Sequence, residues 1–195
     1  MVEPQRTYLA RVGHIHHAAA LASPPPEAVE DDRSNPRAEL ILAGRYDEAE
    51  VDPPRYPQRD VVILGQRIID GAKRPVRFPD PIHIARKYSI DVLDRVPLGA
   101  GVECCDGTCI WYRWHPSART RGSRIFHGLA HCCFDLAGWS KHTEADAVHL
   151  AAELAFQTEF VREARTLRRA MAMQPHADEW LIRAQMRRAR LILAR

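Results

Sequence analysis

The sequence predicts an α+β fold, a small antiparallel sheet set among helices, on three observations. Apolar residues recur at helical spacing between Arg59 and Gly71, and again from about Arg121 onward. Between these stretches lie short runs of strand-forming residues around an Asp106-Gly107 pair. No glycine-rich strand-to-helix signature is present, which argues against a dinucleotide or P-loop site.

Residues 1–55 combine Pro24-Pro25-Pro26, the acidic Glu30-Asp31-Asp32 and Asp52-Pro53-Pro54 with only short apolar clusters such as Leu40-Ile41-Leu42. Such a segment buries little and is expected to be a flexible tail. Its His14, His16 and His17 lack a carboxylate or cysteine spaced to complete a metal site, so they are read as a solvated cluster. Val61, Val62, Leu64, Ile68 and Ile69 then form the stripe of a first helix ending near Gly71. Asp80 before Pro81 starts a short helix through Ile84 and Tyr88, because proline is tolerated in the first turn.

Ile90 to Leu93 reads as a strand, and Gly101–Cys105 with Cys109–Trp114 as a hairpin, since Asp-Gly accepts the positive φ of a tight turn. Helices follow from about Arg121, broken at Gly138 and Pro175, with Thr143 and Thr158 as expected N-caps. The last helix, from about His176 to Leu193, is expected to place Trp180, Ala184 and either Met186 or Leu191 on overlapping faces, with arginines between them. The expected organisation is therefore a tail over 1–55, a domain over 56–161 and a basic helical extension packed on it over 162–195.

Composition narrows the function classes. With 46% hydrophobic and 27% charged residues in 195, the chain suits one globular domain with a tail. It has no apolar run of about 18 residues and no signal-peptide pattern at its start, so the expected location is the cytoplasm, without a membrane partner. Cys104, Cys105, Cys109, Cys132 and Cys133 are odd in number and suit reduced thiols. Adjacent cysteines in a strand point to opposite faces, so Cys104 and Cys105 make a poor zinc pair. The net charge of +3 is uneven: from Arg162 to Arg195, nine arginines face Glu163, Asp178 and Glu179, leaving +6. This reads as a solvated helix face, and with Trp180 the sole aromatic there, direct nucleic-acid binding is not expected.

The chemistry concentrates in Arg124-Ile-Phe-His127-Gly128-Leu-Ala-His131. Histidines four residues apart share one helix face and can reach one ion. Glu144, at the start of the next helix after the Gly138 turn, would complete two histidines and one carboxylate with an open position. That is the ligand count of catalytic zinc, although such sets also hold iron. Asp135 lies one turn beyond His131 on the same face and could contact the ion or its water. His142 and His149 are candidate proton carriers whose bland reading is packing or surface histidine.

The hairpin around Asp106-Gly107, the arginine and aromatic residues before His127, the paired histidines, and the Glu-Ala-Asp-x-x-x-x-Ala-Ala-Glu-Leu stretch beginning at Glu144 resemble, in this order, the ImmA/IrrE metallopeptidases. The resemblance runs from about Arg59 to Val161. It implies a zincin-like fold with a metal-binding helix pair, and zinc held by His127, His131 and Glu144. It also implies Asp146 as a carboxylate behind a ligating imidazole, or as a helix N-terminal acid. Members of that family include proteases that cleave DNA-binding repressors in phage, mobile-element and stress responses.

The sequence departs from the family at Gly128, where relatives carry the glutamate that activates the attacking water, and in packing at Phe156-Gln157, where they often have methionine and proline. Loss of a general base costs about 10²- to 10⁴-fold in rate. The expected function is accordingly a degenerate or slow zinc metallopeptidase acting on a transcriptional repressor or similar regulator. The alternative is a non-catalytic module that binds a regulatory protein, such as a helix-turn-helix repressor, without cleaving it.

Overall fold

The structure, a computed structural model, describes residues 53–72, 78–95 and 103–193. Of the expected tail, residues 1–52, including His14, His16 and His17, lie outside the described residues. Helix α1 (Gln58–Gly71) turns Val61, Leu64, Ile68 and Ile69 inward, as its apolar spacing dictates. Helix α2 (Pro81–Lys87) starts as expected: the Asp80 side chain accepts the Ile82 N–H at 2.9 Å, and Pro81 occupies the first turn.

Three short strands follow, β1 (Asp91–Leu93), β2 (Glu103–Cys105) and β3 (Cys109–Tyr112), in the order β1-β3-β2. The β2–β3 hairpin is antiparallel, and Gly107 adopts φ 83° in its turn. Asp106 ties that turn by accepting the N–H groups of Thr108 and Cys109 at 3.0 and 2.8 Å. The wholly antiparallel sheet expected from the sequence is corrected at β1, which pairs with β3 in parallel, Val92 opposite Ile110. With β3 between them, β1 and β2 run in opposite directions at the two edges of the sheet. A hydrophobic run predicts a strand but not the side of the hairpin on which it pairs.

Helix α3 (Ala118–Leu136), capped by Ser117, runs against this sheet and carries the core residues Phe126, Leu129 and Phe134. It ends at a turn through Gly138, whose φ of 78° reverses the chain. Helix α4 (Glu144–Ala155) begins in a capping box, in which Thr143 Oγ1 accepts the Asp146 N–H and the Asp146 carboxylate accepts the Thr143 N–H. Helices α5 (Thr158–Ala164), α6 (Leu167–Met173) and α7 (Glu179–Leu193) complete the chain, and Leu181 and Ile182 of α7 are fully buried in the same core as α1, α3 and α4. No described helix is long and apolar enough to cross a membrane.

Two helix expectations are corrected by one buried network. Thr158 is not an N-cap, because α5 is preceded by Gln157 and the Thr158 N–H and hydroxyl both donate to Glu153 of α4, at 2.9 and 2.6 Å. Glu153 also accepts from Gln185 Nε2 at 2.8 Å and pairs with Arg188, both on α7. The inward face of α7 is therefore Leu181, Ile182, Gln185, Met186, Arg188 and Ala189, while Trp180 and Ala184 are half-buried. An arginine inside a helix face hides the stripe from any reading that counts only apolar residues.

His149 of α4 lies beside this network, its Nδ1 buried without a hydrogen-bond partner among the described residues. Burial, and then the Arg188 guanidinium, push its pKa from 6.5 down to about 4. Between those values the unfolded chain binds a proton that the folded chain refuses, so stability is full above pH 6.5 and is lost as pH falls toward 4. Urea midpoints of the parent are thus expected to fall more steeply across this window than those of His149→Gln. Parallel slopes would remove His149 from the explanation.

Candidate metal centre

Helices α3 and α4 pack against each other, and the turn between them brings the start of α4 to the histidine face of α3. His127 and His131 lie one turn apart on α3, with ring centroids 4.9 Å apart and the rings edge to face at 78°. His127 Nε2 stands 3.2 Å from Glu144 Oε2, and His131 Nε2 stands 3.4 Å from Glu144 Oε1. One ligand atom from each of the three residues lies within 4.8 Å of the other two, a grouping able to hold a metal ion. His127 is buried, whereas His131 and Glu144 are 18% and 23% exposed, so one side of the group faces outward.

Electrostatics favour a charged carboxylate here. Burial pushes the Glu144 pKa up, but His127 and His131, when they present hydrogen to the carboxylate, outweigh it and hold the carboxyl below the usual carboxylate range. A buried anion facing two imidazole nitrogens is a donor set suited to a divalent cation.

The remaining expected site residues divide. Asp146 is fully buried, and its carboxylate accepts from the Thr143 N–H and hydroxyl at 2.9 and 3.0 Å and from the backbone of Arg55 and Tyr56 at 3.1 and 3.2 Å. It therefore caps α4 and anchors the segment ahead of α1, which matches the helix-acid reading. The imidazole partner expected of it comes elsewhere for His131, whose Nδ1 lies 2.8 Å from His142 Nε2. A ring nitrogen has one in-plane bonding direction, so that atom is taken. Asp135 is 46% exposed and reaches His142 Nδ1 at 4.0 Å, placing it behind His142.

Gly128 has a packing role that sequence reasoning missed. A Cβ built there would sit 2.6 Å from Ile110 Cγ2 and 3.2 Å from Ile110 Cγ1, so α3 rests on β3 at a distance that only glycine allows. Ile110 is fully buried at the centre of β3. The direction a glutamate would take from position 128 is thus filled by an isoleucine.

His142 was also undervalued. It lies in the turn between α3 and α4, stacked on Phe134 at 4.8 Å with 17° between the rings, and its Nδ1 is 3.0 Å from the Trp139 carbonyl oxygen. Burial, and then His131, lower its pKa below the usual imidazole value. Because it sits on a turn, no periodicity marks it in the sequence. Among the described residues the cysteines stand outside the group, and Cys105, Cys109, Cys132 and Cys133 are in no disulfide, while the Cys104 side chain lies outside the described residues. Cys133 is pushed up to about 12 by burial, and Cys132 is raised by hydrogen bonding to Cys105 and by burial. Comparison of the chain with family models, curated proteins and solved structures found no match.

Proposed function

We propose that this chain is a zincin-like protein of the ImmA/IrrE kind that holds zinc through His127, His131 and Glu144, and that its peptide-bond hydrolysis is degenerate or very slow. The observation that carries this reading is the spacing of the donors beside a displaced general base. Ligand atoms about 2.05 Å from a tetrahedral zinc stand about 3.3 Å from one another. The two histidine–carboxylate separations, 3.2 and 3.4 Å, run to different oxygens of Glu144, and one ligand atom from each of the three residues lies within 4.8 Å of the others, so side-chain rotation closes the donors on one ion. Zinc bound there would polarise a carbonyl and acidify water. The chain's own part is to fix the donors with two packed helices, leave one side open, and keep Ile110 where a proton-accepting carboxylate would stand. Nothing in that arrangement replaces the missing base, so the expected rate is lower by about 10²- to 10⁴-fold than with one.

The same observation favours a second reading, a non-catalytic module that grips a regulatory protein, such as a helix-turn-helix repressor, through the open side of the site. The two are separated by incubating the zinc-loaded chain with a candidate repressor and following both complex formation and cleavage by mass spectrometry. Slow cleavage abolished by His131→Ala supports the peptidase, and stable binding without cleavage supports the module. A folded, zinc-loaded chain that neither binds nor cuts any such regulator would sink both.

A further inference from the structure

We propose that His142 is the positioning residue of the metal site, accepting the Nδ1 hydrogen of His131 so that the His131 Nε2 lone pair is left bare toward Glu144. This rests on the reading of His131 as a metal ligand. A carbonyl oxygen can only accept a hydrogen bond. Trp139 O lies 3.0 Å from His142 Nδ1, so that nitrogen carries hydrogen. A neutral imidazole carries one hydrogen, which makes His142 Nε2 an acceptor. It lies 2.8 Å from His131 Nδ1, and two bare nitrogens at that distance would repel, so His131 Nδ1 carries hydrogen, and in the neutral ring that binds a metal ion His131 Nε2 does not. The atom left bare is the one 3.4 Å from Glu144 Oε1.

The fold sets up this relay before any ion arrives. Gly138, at φ 78°, turns the chain after α3, and the Trp139 N–H returns to the Phe134 carbonyl at 2.8 Å. That bond anchors Trp139, the residue whose carbonyl orients His142, while Phe134 stacks flat against the His142 ring. A metal-ligating histidine needs its other nitrogen held to set the tautomer, and a backbone carbonyl or carboxylate commonly does this. Here a second histidine does it, with its own tautomer fixed by the carbonyl behind it. The Asp135 carboxylate, 4.0 Å from His142 Nδ1, faces the relay from the outer side.

Two substitutions test the role. His142→Phe keeps a ring for the Phe134 stack and removes the acceptor, whereas His142→Gln offers an amide oxygen in place of Nε2. In the full-length, metal-free parent, nitrogen NMR of the histidine rings above their titration range is expected to show His131 protonated at Nδ1 and bare at Nε2. His142→Phe is expected to lose that preference, and His142→Gln to keep it. Competition of Zn²⁺ against a chelator should show affinity about 10- to 100-fold weaker in His142→Phe and largely recovered in His142→Gln. Circular dichroism and thermal melting confirm that each variant is folded. A folded His142→Phe binding Zn²⁺ as tightly as the parent, or a parent His131 protonated at Nε2 with Nδ1 bare, would overturn the proposal. If the parent binds no Zn²⁺, the metal reading fails, and the ring-nitrogen spectrum still decides whether His142 sets the His131 tautomer.

Discussion

Gly128→Glu combined with Ile110→Ala is expected to raise zinc-dependent hydrolysis of a repressor substrate by about 10²- to 10⁴-fold over the parent. Gly128→Glu alone is expected to fail. Its Cβ would lie 2.6 Å from Ile110 Cγ2, an atom attached at the branched carbon of a buried strand residue that cannot swing away. Overpacking of this kind costs about 1–3 kcal/mol and would prise α3 from β3, disturbing the ligand helix itself. Truncating Ile110 to alanine removes both clashing atoms and leaves its Cβ at 3.5 Å, an ordinary contact. The truncation creates a cavity costing about 2–5 kcal/mol, which the incoming side chain partly refills. The measurement is the initial rate of cleavage by the double variant, each single variant and the parent, all zinc-loaded. A folded double variant no faster than Ile110→Ala would mean that more than the base has been lost from this site.

Glu153→Ala is expected to destabilise the fold by about 3–5 kcal/mol, the cost of stranding a buried charge. Glu153 and Arg188 are 1% and 3% exposed, so neither charge can turn to water for compensation. The carboxylate also accepts from Thr158 and Gln185, and those donors would be orphaned with it. Replacing both partners, as Glu153→Leu with Arg188→Met, is expected to cost much less than the single change, because an apolar pair of similar volume leaves no uncompensated charge. Urea unfolding of the parent, Glu153→Ala and the double variant reads this directly. A single variant within about 1 kcal/mol of the parent would show that the pair is hydrated in solution.

What the sequence revealed follows from which interactions are local. Asp80-Pro81, Asp106-Gly107 and Thr143 are signals read within a few residues, and the helix start, hairpin and capping box they announce are all present. His127 and His131 are likewise legible, since helical spacing alone puts them on one face. The edge on which β1 pairs is set by contacts between residues distant in sequence, Val92 with Ile110 among them, and no local pattern encodes it. Glu153 and Arg188 are 35 residues apart; Arg188 belongs to the arginine run read as a solvated face, and nothing local pairs it with Glu153. At Gly128 a helix interior bears a glycine at a cost of about 1 kcal/mol against alanine, and the reason for bearing it, the approach of Ile110, exists only in the packed structure.

The most direct test of the metal site is elemental analysis of the dialysed, folded chain beside His131→Ala, with His14, His16 and His17 replaced by alanine in both so that they contribute no metal. The expected result is about one zinc per chain in the first and none in the second, as for a site of three protein ligands that loses one. No metal in either protein, or the same amount in both, would contradict the assignment of His127, His131 and Glu144 as a zinc site.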